Sequence, residues 1–234
     1  MESCVTEGRS EESDFSRSVS EFLPLVKPCK PTNDSEKTRI YQLRYYAYLK
    51  EGALPPDAPK IFKVAYDDAP NALIFGCYVG GRLSSSIRLH IANQRTPMLP
   101  ALSAFPDLVQ PLLDRGLTLI DTTRFVADET AARLYPRLPY ATVRLSAIAG
   151  VHYDVDIALA AVRVEHKPFY RRLFGYEALC EPRPYPTLAK PICLMAVDFR
   201  KARESVLRRY PFFESTAEER RAIFEDPCAM GSRR

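Results

Sequence analysis

The chain has 234 residues, of which 46% are hydrophobic and 26% charged, values that fit one soluble globular domain with or without tails and exclude collagen-like, coiled-coil and wholly disordered classes. The longest apolar run, Val155 to Val164, is broken by Asp156 and Arg163 and falls far short of a membrane-spanning helix. A net charge of +4 excludes a strongly basic nucleic-acid-coating protein, so no nucleic-acid partner is expected, but it permits a local basic patch for an acidic partner.

Acids among the first fourteen residues, where a secretory signal needs a basic start and an apolar run, give the expectation of a cytoplasmic protein. The six cysteines include no C-x-x-C pair and the three histidines no close ligand spacing, so no metal site and reduced thiols are expected. Residues 1–34 are rich in Ser, Glu, Asp and Arg and close on Lys27-Pro28-Cys29-Lys30-Pro31, which reads as a flexible polar lead-in. The domain is expected over 35–199, followed by a helical tail over 200–234.

Ile40, Leu43 and Ala47 recur at helical spacing between Glu36 and Glu51, and Gly52 with Pro55-Pro56 stops that helix. Strands are predicted over Lys60 to Ala65, Ala72 to Val79 and, after the hairpin signal Gly80-Gly81, Arg82 to Ile91. Asn93 to Pro111 reads as a loop with a short helix, and Leu117 to Val126 as a fourth strand. Asp128 to Pro139 is a connection into a helix from Tyr140 to His152, and Asp156 to Val164 is a fifth, doubly buried strand. Pro168 suits the first turn of the next helix and Gly175 its end; Tyr176 to Cys180 and Pro191 to Val197 complete the strands. Strands that first meander and then alternate with helices predict an α/β (α+β) fold with a mixed, mostly antiparallel sheet and helices on both faces.

That order, with His166-Lys167-Pro168-Phe169-Tyr170-Arg171-Arg172-Leu173-Phe174-Gly175-Tyr176, resembles the GNAT superfamily of N-acetyltransferases. The sharper resemblance is to its branch of acyl-homoserine-lactone (autoinducer) synthases and FeeM-type long-chain N-acyl amino acid synthases. The features that carry it are Arg44 with Tyr48 on the first helix, Asp67-Asp68, Arg88-Leu89 ending the third strand, and Asp121-x-x-Arg124 on the fourth. The chain has no tryptophan, which autoinducer synthases usually carry near these motifs, so the expectation falls on the N-acyl amino acid synthase side.

The resemblance implies an acyltransferase that moves a medium or long fatty acyl chain onto the α-amino group of an amino acid acceptor, by direct attack and without a covalent enzyme intermediate. The alternatives are lactone formation from S-adenosylmethionine and a non-catalytic module that binds an acylated carrier. It also implies that Arg44, Asp67 or Asp68, Arg88, Asp121 and Arg124 form a charge cluster beside the acceptor pocket. Asp121 and Arg124, three apart, fall on opposite faces of an ideal strand, so a bulge or other partners must be involved if both line one site. Asp121 ranks first and His166 second as general base. Coenzyme A donors are usually held on a glycine-rich turn, yet no glycine occurs between Leu117 and Ala149. The expected donor is therefore the acyl-phosphopantetheine of an acyl carrier protein, with no cofactor bound permanently. Arg133, Arg137, Arg144, Arg171 and Arg172 would meet the carrier's acids, the pantetheine would lie near Phe125 and Val126, and the acyl chain between the fourth strand and the Tyr140 helix.

Overall fold

The computed structural model describes residues 13–56, 60–185 and 188–226. Chain order is α1 (Asp14–Phe22), β1 (Val26–Cys29), α2 (Asp34–Lys50), β2 (Ala72–Val79), β3 (Arg82–Ala92), α3 (Pro100–Ala104), α4 (Pro106–Asp114) and β4 (Leu119–Ala127). There follow α5 (Glu129–Leu134), α6 (Leu138–His152), β5 (Ile157–Val162), α7 (Lys167–Phe174), β6 (Glu177–Ala178), β7 (Cys193–Asp198), α8 (Phe199–Arg209) and α9 (Ala217–Phe224). One sheet runs in the order β1-β2-β3-β4-β5-β7-β6, and every pair is antiparallel except β4 with β5. The mixed, mostly antiparallel sheet with helices on both faces is the fold class read from the sequence.

Alternating residues divide the core between the two faces. On one side Ile87, Leu89, Ile120, Ala158, Ala160 and Met195 meet Val143, Ile148 and Ala149 of α6. On the other, Leu119, Leu159 and Leu194 meet Leu99, Phe105, Val109 and Leu113 from the α3–α4 region. Gly150 permits close approach of α6 to the start of α8, since a Cβ there would lie 2.4 Å from the Phe199 ring. Gly175 ends α7 in the left-handed region at φ 74°, as its position after the apolar run required.

Several expectations are corrected. From residue 13 the lead-in is structured: Ser13 caps α1 by accepting from the Ser16 N–H at 3.2 Å, and Val19 is fully buried. Short amphipathic pieces of this kind are hidden in a polar composition because their stability comes from tertiary packing. The remainder of the lead-in, 1–12, lies outside the described residues. Lys60 to Ala65 is not a strand; the chain runs irregularly into a 3-10 turn at Ala65–Asp68, and β1 supplies the seventh strand instead. An edge position tolerates Pro28, which has no N–H to donate. Cys29 is disulfide-bonded, against the expectation of reduced thiols, because spacing alone does not reveal a pairing; Cys77, Cys180 and Cys193 are free. Among the described residues no helix is long and apolar enough to cross a membrane.

Candidate active site

α2 lies across the sheet where β3 and β4 meet, and buries Arg44 completely. Arg44 Nη1 donates to Asp67 Oδ1 at 2.7 Å, and Arg88 Nη1 donates to the same oxygen at 2.9 Å. Asp67 Oδ2 accepts from the Val64 N–H at 2.9 Å, and Arg88 Nε donates to Thr123 Oγ1 at 3.1 Å. Burial works against the Asp67 carboxylate, but Arg44, Arg88 and the Val64 N–H outweigh it and hold its carboxyl below the ordinary range. Burial brings Arg44 down to about 10, against the pull of Asp67, so it remains charged near neutral pH; burial also lowers Arg88, again opposed by Asp67. Two cations thus share one carboxylate. Arg44 Nε and Nη2 and Arg88 Nη2 have no partner among the described residues. Asp68 is outside this cluster: it is paired with Lys63 at 2.8 Å on the surface.

A register shift sets Arg124 in a bulge of β4, which does not bring Asp121 to the same cleft wall. Arg88 faces Thr123 but Ser86 faces Val126, so Arg124 and Phe125 together oppose Ile87 in a bulge, and Arg124 takes φ 54°. Its guanidinium lies 4.2 Å from the Phe62 ring centroid and 5.4 Å from that of Tyr48. Arg124 has no carboxylate partner among the described residues. Asp121 Oδ2 accepts from the Ala101 N–H at 2.8 Å, while Oδ1 has no partner among the described residues and the residue is wholly buried. Burial pushes its carboxyl up to about 6, against the opposing pull of the Ala101 N–H, Arg88 and Arg124. His90, opposite Asp121 in the register, donates from Nε2 to the Tyr66 carbonyl at 2.9 Å. Burial, with Arg88, pushes its imidazole down to about 3 and keeps it neutral.

β4 and β5 pair only from Leu119–Ile157 to Thr122–Ala160 and then part. The gap is a cleft of about 350 Å³ whose walls include Tyr48, Arg124, Phe125, Val126, His166, Phe169 and Tyr170. Asp121 is not on that wall. His166 is an exposed wall residue at the cleft's rim, where Nε2 accepts from Arg163 Nη2 at 2.7 Å; partial desolvation of its ring and the Arg163 charge lower its pKa. Tyr170 is a wall residue to which the sequence motifs assign no role. Burial raises its phenol far above neutrality, so it remains a proton donor; its place in the Phe169-Tyr170 motif was the available signal.

The five arginines assigned to the carrier separate. Arg171 and Arg172 are exposed on α7. Arg133 is exposed and paired with Glu129, which also meets Lys50 at 2.5 Å. Arg137 Nε donates to Ser18 Oγ at 2.7 Å and its guanidinium lies 5.2 Å from the Phe15 ring. Arg144 is corrected: it is 9% exposed and consumed by the C-terminal segment. It donates to the Phe212 carbonyl at 2.6 Å, the Glu214 carbonyl at 2.5 Å and the Glu219 carboxylate at 2.6 and 3.0 Å. A helical arginine's partners from a distant tail are invisible in sequence.

No curated protein sequence matches this chain. Among solved structures, FeeM, an N-acyl amino acid synthase from uncultured soil microbes, superposes with a TM-score of 0.65 at 17% identity, covering 79% of this chain and 96% of FeeM. TofI, solved in a ternary complex with an inhibitor and MTA, gives 0.57 at 14% identity over 81% of this chain and 98% of its own. BjaI, a CoA-dependent acyl-homoserine lactone synthase with MTA, gives 0.53 at 14% identity over 80% and 89%. At these identities the superpositions establish the shared fold. The family model described as N-acyl amino acid synthase FeeM matches residues 39–198, the span that holds the charge cluster, the bulge and the cleft; the chain therefore belongs to the FeeM family and is an N-acyltransferase.

Proposed function

We propose that the protein transfers a medium or long fatty acyl chain from the phosphopantetheine arm of an acyl carrier protein to the α-amino group of an amino acid. The observation that carries this reading is Arg124: a 6% exposed cation on the cleft wall, seated on Phe62 and Tyr48, without an acid partner among the described residues. An amino acid's carboxylate supplies the missing anion, and bidentate contact would aim the adjacent amine along the cleft. The surplus positive charge of Arg44 and Arg88 over Asp67 favours the same ligand sign.

The thioester arm enters where β4 has left β5. Beyond Thr122 the β5-facing side of β4 has no strand partner among the described residues, so those backbone N–H groups of residues 123–127 that point away from β3 are available to a developing oxyanion. The neutral amine attacks the thioester carbon, the C–N bond forms and the C–S bond breaks. The proton shed by the attacking nitrogen passes to the departing thiolate, toward which the Tyr170 hydroxyl donates a hydrogen bond; His166 Nε2 is held by Arg163 at the rim of the cleft. Asp121, enclosed and bonded to α3, acts as a positioning residue through its charge on Arg124. Arg133, Arg137, Arg171 and Arg172 form the basic rim for the carrier, and Arg144 is withdrawn from that role.

The test supplies acyl carrier protein loaded with a long chain, amino acids and S-adenosylmethionine, and reads products by mass spectrometry. An N-acyl amino acid is expected; an acyl-homoserine lactone, or equal rates from acyl-coenzyme A, would overturn the acceptor or donor assignment. Arg124→Ala is expected to reduce kcat/KM for the acceptor by roughly 10- to 100-fold, the loss of one charged hydrogen-bond set. An unchanged value in a folded variant would remove Arg124 from the site.

A further inference from the structure

β5 turns Ala158, Ala160 and Val162 toward α6 and α7, all of them buried. Val162 borders the cleft and Ala158 borders a second, apolar cavity of about 30 Å³. The two are four residues apart, about 13 Å of strand, and between them only the small Ala160 faces α6. Ala160 is level with Thr122, whose hydroxyl meets that of Ser146 at 2.6 Å. Thr122 borders the cleft and Ser146 the cavity, so the Thr122–Ser146 pair and Ala160 stand between the two spaces. The far side of the cavity is built by Ala202, Val206 and Leu207 of α8 and by Phe213. These residues lie beyond 198, where the family match ends.

We propose that this cavity receives the distal end of the acyl chain, and that α8 sets the longest chain the protein accepts. The inference rests on the acyl-transfer reading and locates its chain-length determinant outside the matched region. The lining suits only apolar atoms, and an apolar void stays dry and destabilising until such atoms fill it. As it stands the cavity holds one small group, so longer chains displace α8 outward. No residue of α8 is fully buried, which makes it the wall that yields most readily.

Ala202→Leu fills the cavity from α8 with a good helix former, and Leu207→Ala enlarges it. The rate ratio of palmitoyl to octanoyl transfer is expected to fall about tenfold in Ala202→Leu and to rise in Leu207→Ala, the scale of discrimination an apolar pocket gives. Palmitate and octanoate binding, followed by calorimetry, provides a second reading independent of turnover. An unchanged ratio and unchanged palmitate affinity in both folded variants overturn the cavity assignment while leaving acyl transfer in place. Weaker palmitate binding by Ala202→Leu, without transfer from any donor, upholds the cavity and overturns the transfer reading.

Discussion

Asp67 is the residue on which the charge cluster depends, because its Oδ1 alone answers both Arg44 and Arg88. Asp67→Asn leaves two buried guanidiniums without a counter-charge, and a loss of about 3–5 kcal/mol is expected. Denaturant unfolding measures it, and a loss below about 1 kcal/mol would mean that the arginines find other partners. The facing pair His90 and Asp121 sets opposite pH dependences. Folded His90 titrates at about 3 against an ordinary 6.5, so the unfolded chain binds the extra proton and stability is lost as pH falls below 6.5. Folded Asp121 titrates at about 6 against 3.8, so here the folded state binds the extra proton and stability is lost as pH rises between those values. His90→Gln should flatten the acid limb and Asp121→Asn should abolish the opposing decline, each by up to about 1.4 kcal/mol per pH unit. Unfolding midpoints across pH 3 to 7 that run parallel to the parent in both variants would refute these assignments. Arg44, Arg88, Asp121 and Arg124 were legible as motif residues. The choice of Asp67 over Asp68 was not, because a 3-10 turn decides which of two adjacent acids points inward.

At the scale of elements, the bulge in β4 shapes the site and the clamp on α6 holds the C-terminal segment. The bulge brings Arg124 onto the Tyr48–Phe62 side of the sheet, where Thr123 also meets Arg88. The clamp joins Arg144 to the 3-10 turn at Pro211–Phe213 and to α9, whose Thr216 caps it by accepting from the Glu219 N–H at 3.0 Å. Arg144→Met keeps the stem but leaves the Phe212 and Glu214 carbonyls without their donor, so a loss of about 2 kcal/mol is expected. Limited proteolysis should then cut first between α8 and α9; protection equal to the parent would show that Phe212 and Phe213, both buried, hold the segment unaided. Periodicity located α2, α6 and the central strands within a few residues, and Pro168 with Gly175 located α7. It missed α1 and β1, whose few apolar residues acquire meaning only against α6 and β2.

Over the whole molecule, the exposed Arg171 and Arg172, with Arg133 and Arg137, are the surface through which the proposed carrier would be steered. Arg171→Glu with Arg172→Glu is expected to raise KM for acyl carrier protein several-fold at low salt, with the difference shrinking as ionic strength rises. An unaltered, salt-independent KM would move the docking surface elsewhere. By itself the sequence determined the fold class, the order of the central elements and the motif that identifies an N-acyltransferase, because local periodicity and short motifs are written in neighbouring residues. The parting of β4 from β5, the seclusion of Asp121 from the cleft, the capture of Arg144 by the C-terminal segment and the apolar cavity under α8 were decided only in tertiary structure. Each joins side chains tens of residues apart, and burial and partnership of that kind exist only after the chain has closed on itself.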